Sequence, residues 1–331
     1  MTKIKEIGEF NFINKIIPNF SELVGDGMLG IGDDCAVIKQ GDSDLLVTTD
    51  MLVEDIHFIR SEISAYELGY KSLAVNISDI AAMGGHPLAS FISLAIPADM
   101  EVSYLDEFYR GYAELSKKYN MPLLGGDTTK SLDKFVINVV ALGRGDNNKI
   151  KFRSGAKANQ YVCVTGFLGD SACGLEQILR RINNKESSLI DAHYLPKPRI
   201  EEGLFLADKE AVGAMMDVSD GIGSDLNHII KASGIGVNIF LEKIPISEQM
   251  MRVSSELGLN KYELAVGGGE DYELLFTLDK ETFDELAREY LEKFSKEIFI
   301  IGETCAEREV GLNYLENGLV CDKKIKGFNH F

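Results

Sequence analysis

The sequence predicts an α/β or α+β layer protein built in two halves. Three observations carry this. Apolar β-prone runs alternate with segments of helical periodicity along the whole chain. At 331 residues the chain is long enough for two domains of ordinary size, each with its own core. A polar segment, Gly143 to Asn159, holds few large apolar residues and marks a boundary. This gives an N-terminal domain of residues 1–148 and a C-terminal domain of residues 149–331.

Phe12, Ile13, Ile16 and Ile17 repeat at helical spacing and stop near Pro18. In Gly30-Ile31-Gly32-Asp33-Asp34-Cys35-Ala36-Val37-Ile38, two aspartates sit between glycines and an apolar run, where a loop enters a strand. Leu45 to Thr49 reads as a strand ending on Asp50, and Met51 to Phe58 as a loop or short strand. Ser64 with Glu67 three residues on matches a capping box, opening a helix that runs to about Met83 and stops at Gly84-Gly85. Pro87–Ile96 is a strand, Tyr104–Tyr119 an amphipathic helix, and Met121–Leu124 a short strand running into Gly125-Gly126-Asp127. Lys134–Leu142 is the last strand of the first half.

The second half opens with the strand Tyr161–Thr165 and the helix Ser171–Ile182. A polar stretch follows, Asn183 to Pro198, and then an apolar run, Val212–Met216. The helix Ser224–Ala232, the strand Gly236–Leu241, the strand Tyr272–Leu278, the helix Glu281–Phe294 and the strand Glu297–Ile301 complete the alternation. Asn317-Gly318 between β-prone runs predicts a hairpin turn.

No apolar run reaches the ~20 residues of a membrane helix, and the N-terminus has no signal-peptide apolar region, which predicts a cytoplasmic protein. Five scattered cysteines without a CxxC pair argue against a disulfide frame or a zinc site. The formal charge of −18 excludes nucleic acid as an expected partner. A phosphate ligand would need cations to enter such a chain.

Aspartates recur at predicted element ends: Asp34, Asp50, Asp127 in Gly126-Asp127-Thr128-Thr129, Asp217 and Asp220 around Ser219, and Asp271 beside Glu270. Asp79 is different, because it lies inside a helix. Projected at about 100° per residue, it falls on a stripe with Leu68, Ser72, Val75 and Ala82. A carboxylate there is costly unless it is hydrogen-bonded or binds a metal.

Standard nucleotide motifs fail. Thr129 stands at the glycine position before Lys130 in a Walker-like run, Cys35 replaces the third glycine of a dinucleotide fingerprint, and Gly221 comes one place early for a calcium loop. What remains is oxygen-only ligands, suited to Mg²⁺ with substrate phosphates. Two like charges ~4 Å apart repel by roughly 4 kcal/mol at an effective dielectric of 20, so several divalent ions would be needed to gather these groups. The alternative is that they are separate turn and cap residues.

Together the blocks resemble the thiamine-monophosphate kinase family, of the superfamily that includes aminoimidazole ribonucleotide synthetase and selenophosphate synthetase. The resemblance covers Gly30–Ile38, Thr48–Phe58, Tyr70–Pro87, Gly125–Thr129, Arg153–Lys157, Asp217–Lys231, Gly268–Thr277 and Lys326–Phe331. It implies a two-domain aminoimidazole ribonucleotide synthetase-like fold whose N-terminal domain pairs strands across a homodimer. It also implies transfer of the γ-phosphoryl of ATP to the phosphate of thiamine monophosphate.

By the same resemblance, Asp34, Asp50, Asp79 and Asp217 match Mg²⁺ ligands, with Thr48 and Thr49 assisting and Asp127 and Asp220 as further metal positions. Gly126, Arg153, Ser219 and Tyr109 match the ATP side, and His57, Glu270 and Phe328 the thiamine side. A phosphomonoester is largely ionised at neutral pH, its second pKa being ~6, so in-line transfer needs positioning and charge neutralisation rather than a general base. Two rival functions stay open at this point: another ATP-dependent synthetase of the superfamily, and a non-catalytic nucleotide- and metal-binding protein. For His57 and Phe328 the alternative is plain core packing.

Overall fold

The computed structural model describes residues 2–306, 311–321 and 325. Two short helices open the chain, α1 (Ile4–Ile7) and α2 (Glu9–Ile16). The first sheet comprises β1 (Met28–Leu29), β2 (Ala36–Gln40), β3 (Ser43–Val53), β4 (His86–Pro97), β5 (Leu123–Ser131) and β6 (Val136–Asp146). Its spatial order is β1-β2-β3-β6-β4-β5, antiparallel apart from the β4–β5 pair. Helices α3 (Ala65–Ala82) and α4 (Val102–Lys118) belong to this half.

The second sheet has seven strands: β7 (Gln160–Val164), β8 (Val212–Asp217), β9 (Gly236–Phe240), β10 (Leu274–Asp279), β11 (Phe299–Cys305), β12 (Leu312–Glu316) and β13 (Leu319–Val320). The spatial order is β13-β12-β9-β11-β7-β10-β8. Between them run α5 (Asp170–Leu179), α6 (Ser187–Tyr194), α7 (Ile200–Ala207), α8 (Ile222–Ser233), α9 (Glu248–Glu256), α10 (Lys261–Gly267) and α11 (Phe283–Phe294). No described helix is long and apolar enough to cross a membrane.

Local chemistry accounts for the elements that position the site. Ser64 Oγ accepts from the Glu67 amide and Glu67 closes back on the Ser64 amide, so α3 begins on a complete capping box. Its end is fixed by Gly84, which takes φ +69. The turn Asn317-Gly318 has φ 51 and 80, and Glu316 pairs with Leu319 across it, as a type I′ hairpin requires.

Helix α3 is buried nearly all round because it lies between the two sheets. Leu73, Ile77 and Ile80 of this helix share one buried cluster with Met215, Leu274 and Phe276 of the second sheet. The two halves therefore have a common core, where separate cores were expected. A second cluster, with Val164, Met216, Leu226 and Ile239, belongs to the C-terminal half alone.

Several expectations need correction. Strand β3 does not end at Asp50 but continues to Val53, because every position from Ser43 to Val53 pairs with β6. Gly125, Gly126 and Asp127 lie within β5, not at its end, since β4 extends parallel pairing to Ser131. The polar stretch 183–198 contains helix α6, whose Leu189, His193 and Tyr194 are buried despite a mostly polar sequence. Helices α7, α9 and α10 were likewise not expected.

Candidate active site

Three carboxylates from three elements converge. Asp34 precedes β2, Asp79 lies in the last turn of α3, and Asp217 ends β8; one oxygen of each lies within 4.8 Å of the others. Each is oriented by a neighbour. Thr48 Oγ1 donates to Asp79, Ser78 Oγ donates to Asp217 Oδ2 at 2.5 Å, and Arg153 Nη2 donates to Asp34 Oδ1 at 2.5 Å. The Arg153 amide donates to the Asp33 carboxylate at 3.2 Å. Asp50 is anchored by its backbone, whose amide donates to Asn76 Oδ1 at 3.1 Å.

The alternation of β3 explains which residues reach this point. Thr48, Asp50 and Leu52 share the face that α3 covers, and Thr49 faces the opposite side. Thr49 is exposed there, with its hydroxyl accepting from Asn138 Nδ2 at 2.9 Å.

The electrostatics show what the cluster lacks. Burial pushes the Asp79 carboxyl well above the usual range, and Asp50, Asp217 and Asp34 push it further. Asp217 is pushed up to about 8 by burial and then by Asp34. Asp50 rises to about 6 through burial and Asp220, and Asp33 to about 7 through burial and Asp34, against the pull of Arg153. Burial raises Asp34 as well, although Arg153 opposes it. Asp34 Oδ2 is buried without a hydrogen-bond partner. Oxygen donors only, crowded and short of positive charge, fit hard divalent cations.

Asp50, whose charge acts on Asp79, lines a cleft of about 1490 Å³ beside the cluster. Asp50, Ser219, Asp220, His57, His193 and Glu270 are among the residues that line it. Glu270 follows Gly268-Gly269 in a left-handed conformation, φ 63, and Tyr272 has φ 51, a cluster of strain typical of functional sites. A Cβ at Gly269 would lie 2.1 Å from the Ser219 carbonyl, so only glycine lets this loop pack against the Asp217–Asp220 turn. The Glu270 amide then donates to that same carbonyl at 2.8 Å. The Glu270 carboxyl would be raised by burial, but Lys71, His193 and His57 hold it below the usual range. His57 Nδ1 accepts from the Val53 amide at 3.0 Å, which leaves the ring proton on Nε2.

The geometry thus gathers Asp34, Thr48, Asp50, Asp79, Arg153, Asp217 and Asp220, with Ser219, His57 and Glu270 on the cleft that Asp50 and Asp220 also line. It does not bring Asp127 there within one chain. Asp50 pairs with Val139, Val139 with Ile92 and Ile92 with Gly126, so Gly126 is three strands from Asp50. At ~4.8 Å per strand that is about 14 Å along the sheet, too far to share a metal. Gly126 has a structural reason of its own, since a Cβ would meet the Ile92 carbonyl at 1.7 Å. Tyr109 packs edge-on against Phe108 and Tyr112 on α4 and does not line the cleft. Phe328 lies outside the described residues.

Sequence reasoning missed Asp33, Asn76, Ser78, Lys71 and His193. Ser78 and Asn76 flank Asp79 in one helix turn, and a lysine inside the apolar run of α3 was a visible signal. His193 left only a faint one, its spacing of four from Leu189.

The AIR synthase related protein N-terminal domain matches residues 32–145, and the corresponding C-terminal domain matches residues 154–314. The chain is 38% identical to the thiamine-monophosphate kinase of Aquifex aeolicus, over 85% of this chain and 89% of that one. It is 37% identical to those of Bacillus subtilis and Escherichia coli, over 98% of this chain and 99% and 98% of theirs. The fold superposes on AaThiL complexed with AMPPCP and TMP with a TM-score of 0.87 and 34% identity, covering 100% of this chain and 99% of that one. Escherichia coli HypE, a hydrogenase maturation protein, shares the fold at 17% identity (TM-score 0.72, 96% of this chain and 98% of that one).

Proposed function

Since the chain belongs to the thiamine-monophosphate kinase family, on paired AIR synthase related domains, we propose that it phosphorylates thiamine monophosphate to thiamine diphosphate with ATP. It is a kinase of thiamine biosynthesis. The observation that carries this reading is the triad Asp34, Asp79 and Asp217, drawn from both halves, beside a cleft that Asp50, Asp220, His57 and Glu270 line.

The residues fit Mg²⁺, and Asp34, Asp79 and Asp217, with Asp50, Asp220 and Thr48 at hand, would hold it. Bound there, such ions would supply positive charge to offset that of the substrate phosphates. The chain does the rest by placement. Arg153 supplies a fixed positive charge from the protein, and with Asp34 committed to a cation its guanidinium is available to nucleotide phosphate. The acceptor oxygen is already ionised at neutral pH, its pKa being ~6, so no side chain has to remove a proton. Glu270 and His57 orient the thiamine moiety, and the apolar cleft wall keeps water away from the transferring group.

We further propose a homodimer, with the domain boundary near residue 148. Strand β5 is an edge strand of nine residues, nearly all exposed, with Leu123, Leu124 and Leu132 on or beside it. Long bare edges invite strand pairing. A second copy of the chain would then supply Gly126, Asp127 and Tyr109 to the nucleotide side of the site.

Incubation of the purified protein with ATP, Mg²⁺ and thiamine monophosphate tests the reading. Equimolar ADP and thiamine diphosphate are expected. ATP consumption with any other phosphorylated product, or with none, would contradict it.

A further inference from the structure

Lys71 projects from α3 and is 1% exposed, one of the largest fully buried side chains of the protein. Its ammonium donates to Glu270 Oε2 at 3.0 Å, joining the first half to the glycine loop of the second. His193 of α6, 4% exposed, brings Nδ1 within 3.2 Å of the same oxygen, and Ser171 Oγ lies 3.0 Å from that nitrogen. Burial, then Lys71, holds the imidazole neutral. The neutral ring is hydrogen-bonded to Ser171 through Nδ1, which holds the imidazole edge against the Glu270 carboxylate as a close polar contact and not as an ion pair. Lys71 of α3 and His193 of α6, far apart in sequence, thus converge on one carboxylate oxygen, while the Glu270 side chain keeps 27% exposure and lines the cleft.

This arrangement decides how Glu270 can recognise a ligand. A lone carboxylate would attract a cation. Here its charge is already matched by a buried ammonium, and the pair presents to the cleft a dipole, whose attraction for a third charge falls off faster than that of an ion. What survives is direction, because the carboxylate cannot rotate away from Lys71 and His193. We propose that Lys71 and His193 are positioning residues that fix Glu270 as a hydrogen-bond acceptor for the amino group of the substrate's pyrimidine, rather than as a counter-ion for its ring cation. The proposal rests on the reading of the cleft as the thiamine monophosphate site.

The test compares thiamine monophosphate with the analogue bearing an oxo group in place of the pyrimidine amino group. Both retain the thiazolium cation. Wild-type protein should prefer the amino substrate by about 10- to 100-fold in kcat/KM, the worth of a hydrogen bond to a charged group. Glu270→Gln and Lys71→Met should each collapse that preference to within about threefold, chiefly through KM for the amino substrate. KM for ATP should stay as in wild type. Lys71→Arg should restore part of the preference, which a loss of packing alone would not explain. The double variant should be no worse than Glu270→Gln, because the two residues act as one unit.

Wild-type-like discrimination in a folded Lys71→Met protein would overturn the proposal and leave the kinase reading standing. Failure of wild-type protein to phosphorylate thiamine monophosphate would remove both. Where Lys71→Met does not fold, His193→Gln reports through the other contact to Glu270. A several-fold loss of discrimination supports the proposal there, and an unchanged preference overturns it.

Discussion

Asp79→Asn should inactivate the protein and, without metal, make it more stable. The carboxylate oxygens of Asp34, Asp79 and Asp217 lie within 4.8 Å of one another. At an effective dielectric of 20, each ionised pair at that separation costs about 3.5 kcal/mol. Proton uptake relieves part of this, since the folded chain holds Asp217 up to about 8 and Asp79 well above the usual carboxylate range. Groups raised in the folded state contribute stability that is present at low pH and lost as pH climbs through their folded values. The metal-free wild type should therefore weaken from about pH 4 upward through about pH 8.

The asparagine keeps an oxygen for the Thr48 hydroxyl and removes one charge from the triad. The expected gain is about 1–4 kcal/mol at pH 8, seen as a rise of a few degrees in Tm, and much less at pH 5. Melts in a chelator at both pH values, repeated in Mg²⁺, are the assay. In Mg²⁺ the difference should shift by roughly 2.7 kcal/mol in favour of the wild type, the gain at 100 times the dissociation constant, which the variant does not share. A variant that is less stable than wild type in the chelator at pH 8 would refute the reasoning, as would a wild type that Mg²⁺ leaves unmoved.

Three further outcomes are expected. Mixing unfolded Asp127→Asn and Asp79→Asn chains and refolding them together should recover about a quarter of wild-type activity, since randomly paired two-fold dimers place both lesions in one site and none in the other. No recovery would mean that each chain uses its own Asp127. Ser64→Ala should cost about 0.5–2 kcal/mol through the lost cap of α3, read as a lower denaturant midpoint with an unchanged m-value. Arg199→Met should cost about 3–5 kcal/mol by stranding the buried Glu273 carboxylate, which Arg199 grips with Nε at 2.9 Å and Nη2. A melt within a degree of wild type would show that pair to be dispensable.

Much of the site was legible because its residues sit where local rules speak. The capping box at Ser64 set the register of α3, and that register put Asp79 on a stripe with Leu68, Ser72 and Val75, all buried. The stripe could not say which partners awaited Asp79, because Asp217 is 138 positions away and meets it only through the packing of β8 on α3. The local setting of Asp127 was misread for a related reason. A Gly-Gly-Asp run looks like an element end, yet pairing with β4 draws it into a strand.

His193 was hidden by α6, a helix whose burial comes from its neighbours rather than from an apolar pattern. Lys71 was hidden by the habit of treating a lysine as solvated, when a carboxylate 199 positions on makes its burial tolerable. The thiamine moiety was legible only through family resemblance, as no composition or spacing encodes it.

Transfer of the terminal phosphoryl group of ATP to thiamine monophosphate at the aspartate cluster has a single decisive readout. ATP carrying ¹⁸O on its terminal phosphoryl group, incubated with protein, Mg²⁺ and thiamine monophosphate, tests it in one mass spectrum. The labelled oxygens should arrive together on the terminal phosphoryl of thiamine diphosphate, and no product should form with Asp79→Asn. Label recovered in inorganic phosphate, with thiamine monophosphate unchanged, would contradict it.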